Sequence, residues 1–182
     1  MSVNIRATGW GDILGDIVVK GSGSNDPAWA NLVSGIYAYE FSATVMKECW
    51  VTLHIGHDYK PGTNVYLHVH WTRVGTNTGT CRWGFEYSVA KGYNQQAFPT
   101  TTTVYFEQAA HATSLTHQIA EIDVGDTIPS TNIEPDSIIL VRVFRDAAHA
   151  NDTLTDPSFL LLCDAHYQTD RDCTPNKNYP FS

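Results

Sequence analysis

The chain is poor in charge, and poorest in positive charge. Only 16% of its 182 residues are Asp, Glu, Lys or Arg, with nineteen acidic residues against eleven basic ones and a net charge of −8. A protein that grips nucleic acid displaces phosphate counterions with clustered Lys and Arg. Here the basic residues are scattered, so no nucleic-acid partner is expected, and docking on an anionic membrane is disfavoured for the same reason. There is no run of eighteen apolar residues that could form a membrane-spanning helix. Met1 to Lys20 lacks the basic start and apolar run of a secretory signal, and none is read there. The four cysteines, Cys49, Cys81, Cys163 and Cys173, include no CxxC pair, which removes zinc knuckles and thioredoxin-like chemistry. Cys163 and Cys173 are left as a pair that could bond. Gly-x-Ser-x-Gly, the Walker loop, the Rossmann glycine pattern and His-Glu-x-x-His are all missing. No catalytic residue, no cofactor and no enzymatic activity are expected.

What is present is a succession of strand patterns. Runs rich in β-branched and aromatic residues cover 35–43, 45–55, 65–73, 82–90, 101–107, 115–123, 137–145 and 158–168. Gly, Pro, Asn and Asp fill the intervals, as turns require. No helical period competes with them. Eight strands at this spacing predict an all-β fold, an antiparallel β-sandwich with a jelly roll as the leading arrangement. The division expected is an extended N-terminal arm with first edge elements over 1–34, then one jelly-roll domain with a C-terminal tail over 35–182. Trp10 and Trp29 would anchor the arm; an ordinary first edge strand followed by a loop is the other reading of the same segment.

The densest chemistry lies between Leu53 and Ala90, which holds four of the eight histidines. Val65, Leu67, Val69 and Trp71 alternate with Tyr66, His68, His70 and Thr72, which assigns the first set to the core and the second to the opposite face. The runs 65–73 and 81–89, on either side of the Gly75-to-Thr80 turn, are read as a hairpin, so His68, His70, Arg82 and Glu86 are expected to share one polar face. Two imidazoles at i and i+2 on a strand can hold one metal ion if a carboxylate completes the set, and Glu86 is the candidate on this face. Gly62 followed by His68-Val69-His70 resembles the opening of the first cupin motif. The Glu of that motif is missing after His70, and the second motif has no counterpart. Outward histidines on a sheet are most often polar surface or interface, and no metal is assigned. Tyr37, Tyr39, Trp50, Tyr59, Tyr66, Tyr93 and Tyr105 exceed what one core needs. Such rings anchor protein interfaces or stack on sugars.

Taken whole, the chain resembles small structural proteins of tailed bacteriophages. The resemblance is carried by Trp10-x-Asp12-Ile13, Asp26-Pro27-x-Trp29, the His57-to-Thr63 loop, His68-Val69-His70-Trp71, and Ala165-His166-Tyr167-Gln168-Thr169-Asp170-Arg171. It implies a virion β-sandwich assembled in the host cytoplasm and acting as a homo-oligomer, a trimer. As a capsid cement or decoration protein it would bridge subunits of the major capsid protein or other virion proteins. The interface residues expected are Trp10, Trp29, His57, Tyr59, Tyr66, His68, His70, Tyr179 and Phe181. Two other readings remain open: a tail or fibre component that binds a host-surface glycan, and a degenerate cupin-like metal-binding protein using His68, His70 and Glu86.

Overall fold

A computed structural model describes residues 8–170 apart from residue 22. Tyr179, Phe181, Cys173 and the C-terminal tail lie outside the described residues. Among the described residues ten strands run β1 (Thr8–Gly15), β2 (Ala28–Val33), β3 (Ile36–Phe41), β4 (Lys47–His54), β5 (Tyr66–Arg73), β6 (Thr80–Ala90), β7 (Thr102–Ala109), β8 (Gln118–Glu121), β9 (Ile138–Arg145) and β10 (Ser158–Asp170). The helical content among the described residues is two single turns, Val124–Asp126 and Ser130–Asn132, and no helix is long and apolar enough to cross a membrane.

The strands form two antiparallel sheets, giving the expected all-β sandwich. The six-stranded sheet follows β2-β3-β10-β5-β8, with β1 also on β10; the four-stranded sheet follows β4-β9-β6-β7. All eight runs picked out by composition are strands here. β1 and β2 are two more, and they change the reading of the N-terminus. The segment is extended, but it is laid into the sheet rather than reaching away from it. β1 pairs along its length with β10, Thr8 opposite Asp170 to Gly15 opposite Cys163. The boundary expected at residue 34 falls inside the two-residue turn of the β2–β3 hairpin, where Ser34 (φ 47°) and Gly35 (φ 85°) both take the left-handed conformation that such a tight turn demands. After β1 the chain crosses to the other sheet. Gly15 makes that possible, because a Cβ there would lie 2.8 Å from the Leu53 side chain and 3.0 Å from that of Val51. Val18 then pairs with Trp50 of β4.

The connection between β5 and β6 is a second correction. These strands do not form a hairpin. β5 lies in the six-stranded sheet and β6 in the four-stranded one. Their inward aromatics meet across the core instead: the rings of Trp71 and Trp83 are 6.2 Å apart, and Phe41 sits 5.2 Å from Trp83. Two strands that each bury one face satisfy the hydrophobic pattern equally well side by side or face to face, so alternation alone could not separate the two cases.

One end of the core is closed by charge. Arg145 is fully buried and forms a bidentate pair with Asp152, at 2.9 Å from Nε and 2.8 Å from Nη2. Its remaining donors reach the carbonyls of Asp156 and Leu154 and the Ser158 hydroxyl. This fixes the 146–157 segment against the sheet. Removing one member of a buried pair strands the other charge. Asp152→Ala is therefore expected to cost about 3–5 kcal/mol in urea or guanidinium unfolding. Cys49, Cys81 and Cys163 are buried free thiols, and burial pushes Cys49 and Cys81 up to about 12 and Cys163 well above its ordinary value. They should resist a thiol-labelling reagent at neutral pH in the native protein and label fully once it unfolds, as peptide mapping would show.

Candidate functional site

The strongest cluster of reactive side chains lies on the outer face of the six-stranded sheet, where β1, β5, β8 and β10 run side by side. β5 supplies His68 and His70. β10 supplies Asp164 and His166, β1 supplies Asp12, and β8 ends on Glu121. The register places them together: Asp164 opposite His68, His166 opposite Tyr66 and Asp12, and Glu121 opposite His68.

Asp164 and His166 reach this face because of a bulge. Leu160 pairs with Trp71 and Leu162 with His70, leaving Leu161 as an extra residue. Before it, Ser158 and Leu160 are buried on the core side; after it, Cys163 and Ala165 are. The extra residue reverses which set of side chains faces the core.

His68 is outward-facing but not exposed. Its side chain is 1% exposed and that of Asp164 is 3%. The His166 ring stacks on it at 4.0 Å and the His70 ring lies 5.1 Å away. His68 Nε2 approaches Asp164 Oδ1 to 2.7 Å, yet the two are not aligned for a hydrogen bond, and neither ring nitrogen of His68 has a hydrogen-bond partner. His70 Nε2 lies 3.5 Å from Asp164 Oδ2, while its Nδ1 meets His117 Nε2 at 2.7 Å. His166 Nδ1 contacts Glu121, and its Nε2 lies 3.0 Å from Asp12 Oδ1. Among the described residues two sets could hold a metal ion: His68, His70 and Asp164, and Asp12, His68 and His166. A recess of about 350 Å³ beside them is lined by Trp10, Tyr66, Glu121 and His166, with Trp10 edge-on to Tyr66 at 5.7 Å.

Glu86 does not belong to this cluster. It lies on the other sheet, bound to Arg142 at 2.7 Å and to the Thr101 hydroxyl at 2.8 Å, and these contacts hold its carboxyl below the usual range. Arg82 is likewise on β6, paired with Glu107 and Asp146. The set His68, His70 and Glu86 is thus taken apart by the β5–β6 crossing, and the interior metal of a cupin has no room in a core filled by Trp71, Trp83 and Phe41. The carboxylate that joins the two histidines is Asp164, nearly a hundred positions away in the chain. Its only sequence signal was the alternation Asp164-Ala165-His166, the same polar-apolar-polar pattern as His68-Val69-His70.

Among the expected interface residues, Trp10 (60% exposed) and Trp29 (62%) are open to contact. Tyr66 and His70 are half-buried. Tyr59 is a correction: it is 1% exposed, its hydroxyl bonds the Thr63 carbonyl, and its ring packs 6.5 Å from Tyr167. The loop after β4 folds back over it, with Lys60 N–H bonded to the Gln168 carbonyl. His68 is also too buried to touch a partner. His57 lies away from the cluster, sharing Asp136 with His54 at 3.1 and 2.9 Å.

A second surface stands out on β2 and β3. The row Phe41, Tyr39, Tyr37 along one face of β3 passes from fully buried through half-buried to 48% exposed. Trp29 crosses it, 4.8 Å from Tyr39 and stacked 6.4 Å from Tyr37. With Leu161 and Ile36 these rings line a groove of about 340 Å³.

No family model matches the chain, and no curated protein is similar to it. Among solved structures it is similar to a chain in the structure of infectious bursal disease virus, Gt strain, at 16% identity and a TM-score of 0.29, over 87% of this chain and 40% of that one. The chain thus spans less than half the length of that viral chain, and a likeness of this extent transfers neither fold nor function.

Burial holds the His70 imidazole below its ordinary value, with Asp164 pulling the other way and His68 and His117 adding to the depression. The unfolded chain therefore takes up this proton at higher pH than the folded one. Stability contributed here is intact above about pH 6.5 and is lost as the pH falls from there through the lower folded-state value. In the presence of chelator, the urea midpoint should drop between pH 7 and pH 5, and by less in a His70→Gln variant.

Proposed function

We propose that this chain is a structural protein of a virus particle, working through protein contacts rather than catalysis. The observation that carries this reading is the aromatic ribbon of β2 and β3. Trp29, Tyr37 and Ile36 are exposed by 62%, 48% and 63%. Contiguous apolar surface of this kind marks interaction sites on folded proteins, and Trp and Tyr dominate the energy of such contacts. Three further features agree: the low charge, the rigid sandwich, and the sequence resemblance to small tailed-phage virion proteins. The strand order also supports reading the sandwich as a jelly roll. Counted from β3, the sheets run 1-8-3-6 and 2-7-4-5, the interleaving of two rolled Greek keys.

In the finer form of the proposal the chain is a homotrimer that cements the shell by bridging coat subunits. Burying the ribbon between copies or against the coat would raise the work needed to separate capsomers. Particle reconstruction tests this directly. Copies at symmetry-related positions on the shell support cementing; copies confined to the tail favour a glycan-binding role for the same rings; absence from the particle removes the reading. A Trp29→Ala, Ile36→Ser variant with an unchanged unfolding midpoint is expected to lose oligomerisation in light scattering and incorporation into particles. Unchanged assembly would count against the ribbon as the interface.

A further inference from the structure

We propose that His68, His70 and Asp164 bind a divalent transition-metal ion of the zinc class on the outer face of the six-stranded sheet. The site is independent of the virion reading and would stand without it.

The first argument is the state of His68. Its imidazole is 1% exposed and both ring nitrogens lack a hydrogen-bond partner; Nδ1 stands 3.9 Å from Glu121 Oε2, and Nε2 lies 2.7 Å from an Asp164 oxygen that also lacks one. A buried histidine normally satisfies at least one nitrogen, because a buried polar atom without a partner has lost its water and gained nothing in exchange. Two such atoms held 2.7 Å apart without hydrogen-bond alignment are placed as ligands are placed. Donors about 2.0–2.1 Å from a tetrahedral ion stand roughly 3.3 Å from one another. The spacings here are 2.7 Å from His68 Nε2 to Asp164 and 3.5 Å from His70 Nε2 to Asp164, with all three ligand atoms within 4.8 Å.

The second argument is the orientation of the neighbours. Metal-bound histidines usually engage their other ring nitrogen in a hydrogen bond that sets the tautomer. His70 does so: Nδ1 is tied to His117, which leaves Nε2 directed at Asp164. The alternative set built on Asp12 and His166 is less suited because it is open to water: the Asp12 side chain is 52% exposed and that of His166 34%, against 3% for Asp164. Two imidazoles and one carboxylate suit zinc and its neighbours better than calcium or magnesium, which prefer all-oxygen sets.

The ion would join β5 to β10, the central pair of the sheet. Its role is therefore structural, a clamp on the strands that carry the rest of the fold.

The test uses the full chain, stripped with chelator and titrated with Zn²⁺ by calorimetry and with Co²⁺ by visible absorption. One equivalent should bind, with the d–d bands of a tetrahedral site. At a hundredfold excess over Kd, zinc should raise Tm by about 5–10 °C. His70→Ala, a half-buried position whose loss the fold should tolerate, is expected to weaken binding by more than about a hundredfold. His117→Ala should weaken it by about 10–100-fold, as loss of a supporting partner does. His54→Ala should leave it unchanged. The proposal is overturned if wild type takes up no metal beyond His70→Ala, or if the bound equivalent is lost in His54→Ala instead.

Discussion

The backbone pairing of β10 is the constraint on which the sandwich depends. This strand is thirteen residues long and pairs with β5 along one edge. Its other edge is shared in sequence by two strands, β3 beside Ser158–Leu160 and β1 beside Cys163–Asp170. Every strand of the six-stranded sheet is thus joined to β10 directly or through one neighbour. The edge where β3 gives way to β1 coincides with the extra residue Leu161. A bulge bends and twists its strand, and here it separates the two pairing partners as well as reversing the inward set.

That reversal links fold to chemistry. The half of β10 after Leu161 points Asp164 and His166 to the outer face, where side chains of the flanking strands leave Asp164 3% and His166 34% exposed. Taking a carboxylate and imidazoles out of water is costly unless they meet a charge or donor. The sheet has gathered His68, His70, His117, His166, Asp12, Asp164 and Glu121 into one polar layer on its outside. The inner layer is left to Trp71, Trp83, Phe41 and the aliphatic residues. Among the described residues, buried arginines on the core side lie at one end, where Arg145 pairs with Asp152 and Arg73 with Asp156.

The two candidate surfaces sit on the same sheet and differ in physical character. The histidine layer is polar, half-covered and locked by internal contacts. The β2–β3 ribbon is apolar, open, and lies at the sheet edge, where an unpaired strand also offers its backbone to a neighbour. The first is where we propose an ion, and the second where we propose a protein contact.

Fold class was legible in the residues because alternation and turn chemistry are local. The eight runs found by composition became β3 to β10, and the inward set Leu67, Val69 and Trp71 is buried as the pattern required. β1 and β2 were less legible: Gly9, Gly11 and Gly15 interrupt β1, and its strand character comes from pairing with β10, not from propensity. Sequence order also suggested that β5 and β6 were partners, which put Glu86 beside His68. Only the tertiary structure decided that they face each other across the core. It likewise decided that Asp164 completes the histidine pair and that Tyr59 is interior. The reason is the same each time: alternation states which side chains share a face of one strand, while the neighbouring strand is chosen by packing between residues far apart in the chain. A single inserted residue, Leu161, then determined which face Asp164 joined.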